Sequence, residues 1–216
     1  MQVVIAGGHG QIALRMSRML AERGDQVTGI IRNPDHAGDL AEVGARAAVL
    51  DLEQAPVDEV ASVLADADAA VFAAGAGPGS GTARKDTVDR AAAALFADAA
   101  ERAGVTRFVQ ISAMALERAD DPAVGEVFAA YLRAKAAAED DLRTRAMDWT
   151  ILRPGRLTDD PGTGRVVLTA HAERAAVSRD DVAAVVLALL DEPRTSGRTL
   201  ELISGDTPIA AAVTSL

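Results

Sequence analysis

Cysteine is absent from the 216 residues, and aromatic side chains make up only 3% of them. Without cysteine the chain has no disulfide, no zinc–thiolate site and no cysteine nucleophile, which suits a reducing cytoplasm. With so few aromatics the core has to be built from Ala, Val, Leu and Ile. Positive charge is also scarce, with 22 Lys and Arg against 32 Asp and Glu, for a formal charge of −10. Such a field repels phosphate backbones and anionic lipid, and no basic cluster offsets it locally. Neither nucleic acid nor a membrane is therefore expected as a partner. The longest apolar stretch, Val182 to Leu190, is too short to span a bilayer. The N-terminus, Met-Gln-Val-Val-Ile-Ala-Gly-Gly, lacks the charged start and long apolar run of a signal peptide. These absences predict a soluble, cytoplasmic protein with no metal site.

What is present is a globular balance, 49% hydrophobic and 25% charged. Short β-branched runs alternate with alanine-rich helical stretches. The pattern predicts strands over 2–6, 27–31, 47–50, 69–72, 107–111, 149–152, 166–168 and 199–203. Helices are expected over 11–23, 35–43, 57–64, 82–103, 124–145 and 179–190, the last capped by Ser178. Residues 75–81, with four glycines and one proline, read as a loop. Alternation of this kind means right-handed βαβ units. The expected fold is α/β: a three-layer, doubly wound Rossmann fold with a mainly parallel sheet of seven to eight strands, in a single domain over 1–216.

Between the first strand and first helix lies Gly7-Gly8-His9-Gly10-Gln11-Ile12-Ala13. Gly7 allows a tight turn, Gly10 lets the backbone approach a pyrophosphate, and small Ala13 lets helix pack on strand. The helix start adds free amides and partial positive charge. A structural turn is the bland alternative, and His9 reads as a loop side chain rather than a catalyst. About 20 residues beyond the glycines, NAD-specific domains place an acid on the ribose. This chain instead has Ile31-Arg32-Asn33-Pro34. The arginine fork suits a 2′-phosphate, so NADP is favoured, with NAD as the alternative. Asp51-Leu52 and Ala73-Ala74-Gly75 follow the third and fourth strands, at the carboxyl edge where ligands collect. Asp51 is either an acceptor for the adenine amino group or a cap. The small residues at 73–75 fit close approach of a ribose and nicotinamide.

Tyr131 and Lys135 stand four residues apart, on one face of a helix. A cation beside a phenol favours phenolate and lowers its pKa, so the pair can exchange protons with a carbonyl or alcohol. Ser112 closes the fifth strand and can polarise the same oxygen, or merely cap the strand.

These residues, together with Arg153-Pro154-Gly155-Arg156-Leu157 and the tail 177–183 and 202–209, resemble the atypical short-chain dehydrogenase/reductases. More narrowly, the chain is similar to a small bacterial NAD(P)-binding or epimerase-like group related to NmrA-like and biliverdin reductase B-like proteins. The resemblance implies a cofactor site at Gly7, His9, Gly10, Gln11, Ile12, Arg32, Asn33, Asp51, Leu52, Ala73, Ala74, Gly75, Lys135 and Pro154. It also implies a hydride-transfer site with Tyr131 as acid/base, Lys135 on the nicotinamide ribose and Ser112 on the substrate carbonyl. The expected activity is NADP-dependent oxidoreduction of a small carbonyl, quinone or flavin. The alternative is a nucleotide-binding redox sensor without turnover. Epimerisation of a nucleotide sugar ranks lower, because little chain remains to enclose one.

Overall fold

The computed structural model describes residues 1–77 and 79–216, so Pro78 of the expected 75–81 loop lies outside the described residues. A nine-stranded sheet runs through the middle. In chain order its members are β1 (Gln2–Ala6), β2 (Gln26–Ile31), β3 (Arg46–Val49), β4 (Ala69–Phe72), β5 (Arg107–Ile111) and β6 (Asp148–Pro154). After the short strand β7 (Arg156–Thr158) come β8 (Arg165–Thr169), the short β9 (Ala176–Ser178), β10 (Arg198–Ser204) and the two-residue β11 (Thr207–Pro208). The order across the sheet is β11-β8-β10-β6-β5-β4-β1-β2-β3, while β7 and β9 pair separately. All neighbours from β3 to β10 are parallel, and β8 turns antiparallel against β10. The ninth strand is β11, whose two residues the apolar pattern could not reveal.

Alternation along β1 shows why the sheet needs cover on both sides. Val3 and Ile5 face one core and Val4 and Ala6 face the other. The first core is closed by α1 (Gln11–Arg23), through Ala13, Met16 and Leu20, and by α7 (Arg179–Leu190), through Val182 and Val186. The short α2 (Ala37–Glu42) adds Leu40 to it. Helix α1 stops at Gly24, whose φ of 92° lets its amide return to Ala21. On the second face lie α3 (Val57–Leu64), α5 (Ala92–Ala103) and α6 (Glu126–Arg143). Phe72, Phe96 and Phe108 pack there with ring centroids 6.2 and 5.7 Å apart, while alanines supply most of the remaining helix surface. Among the described residues, no helix is long and apolar enough to cross a membrane.

The single helix expected over 82–103 is three pieces. A first turn, α4 (Thr82–Arg84), passes into a π-helical stretch, Lys85–Ala91, before α5 begins. The Ala92 amide closes onto the Thr87 carbonyl, five residues back rather than four. Similarly, the helix expected over 124–145 is shorter at both ends, and the 35–43 segment opens as a 3₁₀ turn at Pro34–His36. A short helix, α8 (Ile209–Thr214), closes the chain. At the sheet's amino end Arg107 donates to Asp148 O, Thr150 Oγ1, Leu189 O and Thr195 Oγ1, tying β5, β6 and α7 together.

Candidate active site

Strand order reverses at β1, which lies between β2 and β4, so a crevice opens there at the carboxyl ends of the strands. Main chain builds this part. Gly7 holds φ at 77°, and a Cβ on it would sit 2.6 Å from Ala74 Cα. A Cβ on Gly8 would sit 2.6 Å from Cα of Gly29 in β2, so two backbones meet where only glycines fit. Gly10 caps α1, donates its amide to Gly7 O at 2.8 Å and accepts from Leu14 N at 2.9 Å. A Cβ there would crowd the Gly7 carbonyl at 3.1 Å. No side chain caps α1, which leaves its first amides facing the crevice. This cradle, free of Cβ atoms and amide-lined, fits a diphosphate.

Three adjoining cavities run along the carboxyl edge. The first, of about 720 Å³, is bordered by Gly10, Gln11, Ile12, Ser112, Tyr131 and Lys135, with Pro154 and Ala73–Gly75 also in its wall. The second, of about 330 Å³, is bordered by Gly7, His9, Arg32 and Asn33. The third, of about 170 Å³, holds Arg32, Asp51, Leu52 and Glu53. Each residue expected to hold the cofactor or carry the chemistry thus borders one of three cavities that share wall residues, together a trough along this edge.

Several of these side chains have local duties. Asn33 Oδ1 accepts from Asp35 N at 3.1 Å, and Asp51 Oδ1 accepts from Glu53 N at 3.0 Å, so both cap turns. His9 stacks on His36 with centroids 3.6 Å apart and meets Asp39 at 2.6 Å. Arg32 extends from the end of β2 and donates to Glu53 at 3.0 Å. The acid missing from the strand end is thereby delivered from the loop after β3. Arg84 and Thr87 reach the same carboxylate at 2.7 and 2.6 Å. The Thr87 hydroxyl first, and then Arg84 and Arg32, hold Glu53 below its ordinary pKa against the opposing effect of burial.

The chemical end of the trough departs from expectation in two respects. Lys135 does not lower the Tyr131 pKa. Burial, followed by the negative charge of Asp89, pushes the phenol well above its ordinary value. The lysine is spent elsewhere: its Nζ donates to Ile111 O at 3.2 Å and lies 3.4 Å from Asp89 Oδ1. It sits over the Tyr131 ring, 5.9 Å from its centroid. Burial pushes the Lys135 ammonium down, with Asp89 opposing.

The second departure concerns Ser112. Its one proton goes to Glu139 at 2.5 Å, so here it offers an acceptor and not the donor that polarises a carbonyl. Glu139 is fully buried and bound by Arg153 Nε and Nη2 at 2.9 and 2.6 Å, and by Arg143 at 2.6 Å. Glu139 draws the serine hydroxyl toward this charged layer beneath α6.

Two further residues enter the cavity wall from the π-helical stretch. Asp89 has no exposed side-chain surface; its Oδ2 accepts from Ala76 N at 3.2 Å. Lys85 is 8% exposed, donates to Gly77 O at 2.9 Å and lies 5.3 Å from the Tyr131 ring centroid. Regular helical spacing gives no hint of either, because an extra residue per turn changes which side chains face inward. Phe128, stacked on Tyr131 with centroids 5.7 Å apart, and Val127 form an exposed apolar lip.

A family model described as NAD(P)H-binding matches residues 7–193. A Bacillus subtilis protein named uncharacterized sugar epimerase YhfK is 36% identical over 217 residues, the whole of both chains. Among solved structures, the oxidoreductase ylbE from Lactococcus lactis superposes with a TM-score of 0.88 at 25% identity, covering 100% of this chain and 96% of that one. The anaerobillin reductase ChuY from Escherichia coli O157:H7 gives a TM-score of 0.77 at 26% identity, covering 95% and 98%.

Proposed function

We propose, from the premise that this chain belongs to the NAD(P)H-binding family, that it is an NADP-dependent oxidoreductase acting on a small carbonyl, quinone or flavin. One observation carries the proposal: Tyr131 and Lys135 share a cavity wall with the amide-lined start of α1 at Gly10–Ile12. The Gly7–Gly10 turn and those amides would hold the pyrophosphate, and Asp51 and Leu52 the adenine. Lys135 would hold the nicotinamide ribose, with Pro154 and Ala73–Gly75 alongside. Arg32 and Arg84, now sharing Glu53, would take the 2′-phosphate, which favours NADP over NAD. When bound, the dinucleotide supplies or takes the hydride.

Tyr131 is the proton donor to the substrate oxygen. The phenol is protonated at neutral pH, the form that reduction requires, and its raised pKa extends that form into alkaline solution. Lys85 and Lys135 stand 5.3 and 5.9 Å from its ring centroid. Ser112, accepting rather than donating, aligns a hydroxyl in the cavity. A chain without cysteine that works with a reducing cofactor suits the cytoplasm. The test is Tyr131→Phe, which should cut turnover by about 10²–10⁴ while leaving NADPH binding by calorimetry unchanged. An unaltered rate removes Tyr131 from the mechanism.

The commitment of the Ser112 proton to Glu139 favours a second reading, a redox sensor that binds NADP(H) without turnover. Tight NADPH binding with no oxidation by any quinone, flavin or aldehyde tried would select it.

A further inference from the structure

Three cations border the large cavity, and two are already neutralised. Arg179 is held by Asp159 at 2.8 Å, and Lys135 lies 3.4 Å from Asp89. Lys85 differs. Among the described residues no carboxylate stands within ion-pair distance of it. The acids closest in sequence are spoken for, Asp86 by Arg90 and Asp89 by Lys135. An ammonium carries three donors, and among the described residues its one hydrogen bond goes to a neutral carbonyl, Gly77 O. A cation this deeply buried usually has a counter-ion, because removing it from water is costly. Here the open side of Lys85 faces the cavity beside Tyr131, under the apolar lip of Phe128 and Val127.

We infer that Lys85 is a substrate-anchoring residue, and that the substrate is a flat conjugated carbonyl compound bearing a carboxylate. The carboxylate seats on the Lys85 ammonium, the planar part lies against Phe128, and the carbonyl falls within reach of Tyr131. The inference rests on the oxidoreductase reading above and narrows its substrate. A neutral quinone leaves this cation unpaired in a desolvated wall; an anionic one repairs it. The π-helical stretch is the means of supply, since it brings both Lys85 and Asp89 to the cavity while α5 remains packed in the core.

The probes are 2-naphthoate and its uncharged counterpart 2-naphthamide, titrated by ligand-observed NMR into protein saturated with NADP. Wild type should bind the naphthoate about tenfold or more tightly than the amide, the magnitude of a charged hydrogen bond. Lys85→Met should abolish that preference with the NADP affinity unchanged, which also certifies the fold. Lys85→Arg should retain the preference. Equal binding of the two probes by wild type, binding of neither, or a preference that survives in Lys85→Met overturns the proposal. So does a loss of NADP affinity in Lys85→Met, which would make the lysine a cofactor ligand. If instead wild type binds no NADP, the broader oxidoreductase reading fails, and the two failures are thereby told apart.

Discussion

At the glycine-rich end of the trough a ligand would meet main chain, whereas at the Tyr131 end it would meet side chains gathered from separate elements. The first end is made within a few residues, by Gly7, Gly8 and Gly10 at the junction of β1 and α1. The second needs Ser112 just after β5, Tyr131 and Lys135 from α6, and Lys85 and Asp89 from the π-helical stretch. A site made of amides is fixed by backbone geometry and tolerates almost no added atom. A site made of side chains depends on which neighbour claims each proton and charge, so it can be retuned by single substitutions without unfolding the protein.

The contrast is broken most severely at Gly8. Gly8→Ala forces a Cβ to within 2.6 Å of Gly29 Cα, and neither backbone can yield without shifting β1 against β2. A loss of about 3 kcal/mol in urea denaturation is expected, at the upper end of ordinary overpacking, with NADP binding lost as well. Gly75→Ala, whose Cβ would meet only Asp89 Oδ1 at 3.2 Å, should cost clearly less. Equal costs would mean that the cradle is no stiffer than the rest of the trough.

A middle-sized effect is expected where the two kinds of construction meet. Arg32→Ala should weaken NADP by roughly 1.5–3 kcal/mol and NAD far less, since only NADP presents a phosphate to the guanidinium. Glu53→Gln should act in the opposite sense, releasing Arg32 and Arg84 and tightening NADP. Calorimetry with both dinucleotides checks the pair. Equal weakening of NAD and NADP by Arg32→Ala would refute phosphate reading by this residue.

The smallest effect is a dependence of stability on pH. Folding raises the Tyr131 pKa, so between the ordinary phenol value and the raised one the native state keeps a proton that the unfolded chain has lost. The corresponding stability is fully present below about pH 10 and declines above it, by at most about 1.4 kcal/mol per pH unit. Between mildly and strongly alkaline pH the urea midpoint should fall less for Tyr131→Phe than for wild type. Identical slopes would show that the phenol is not held protonated by its surroundings.

The same contrast explains what could be read from the chain beforehand. The parallel sheet, α1, α3, α7 and the Ser178 cap were legible because each depends on local periodicity and a local stop signal. The glycine turn was legible for the same reason, although its second contact, Gly8 against Gly29, joins residues from different strands. Tyr131 and Lys135 were visible as a helical pair. Their electrostatics were not, because the burial and the Asp89 charge that govern the phenol come from outside α6. Sequence spacing does not pair Glu53 with Arg32, because tertiary folding brings the β3–α3 loop to the end of β2. Ser112 was found, but the direction of its hydrogen bond depends on Glu139, whose carboxylate is buried beneath it.

One wider turn of backbone, at Lys85–Ala91, also separates two inheritances within what would otherwise be a single rod. Beyond it, α5 carries the alanines and Phe96 that the core cannot exchange. Before it, the register is offset by about 100°, the angle one residue contributes to a regular helix. Deleting one residue there would restore uniform winding and swing Lys85 away from the cavity while leaving α5 in place. Related chains could thus acquire or discard an inward-facing cation by a one-codon change in length, at little cost to the hydrophobic interior.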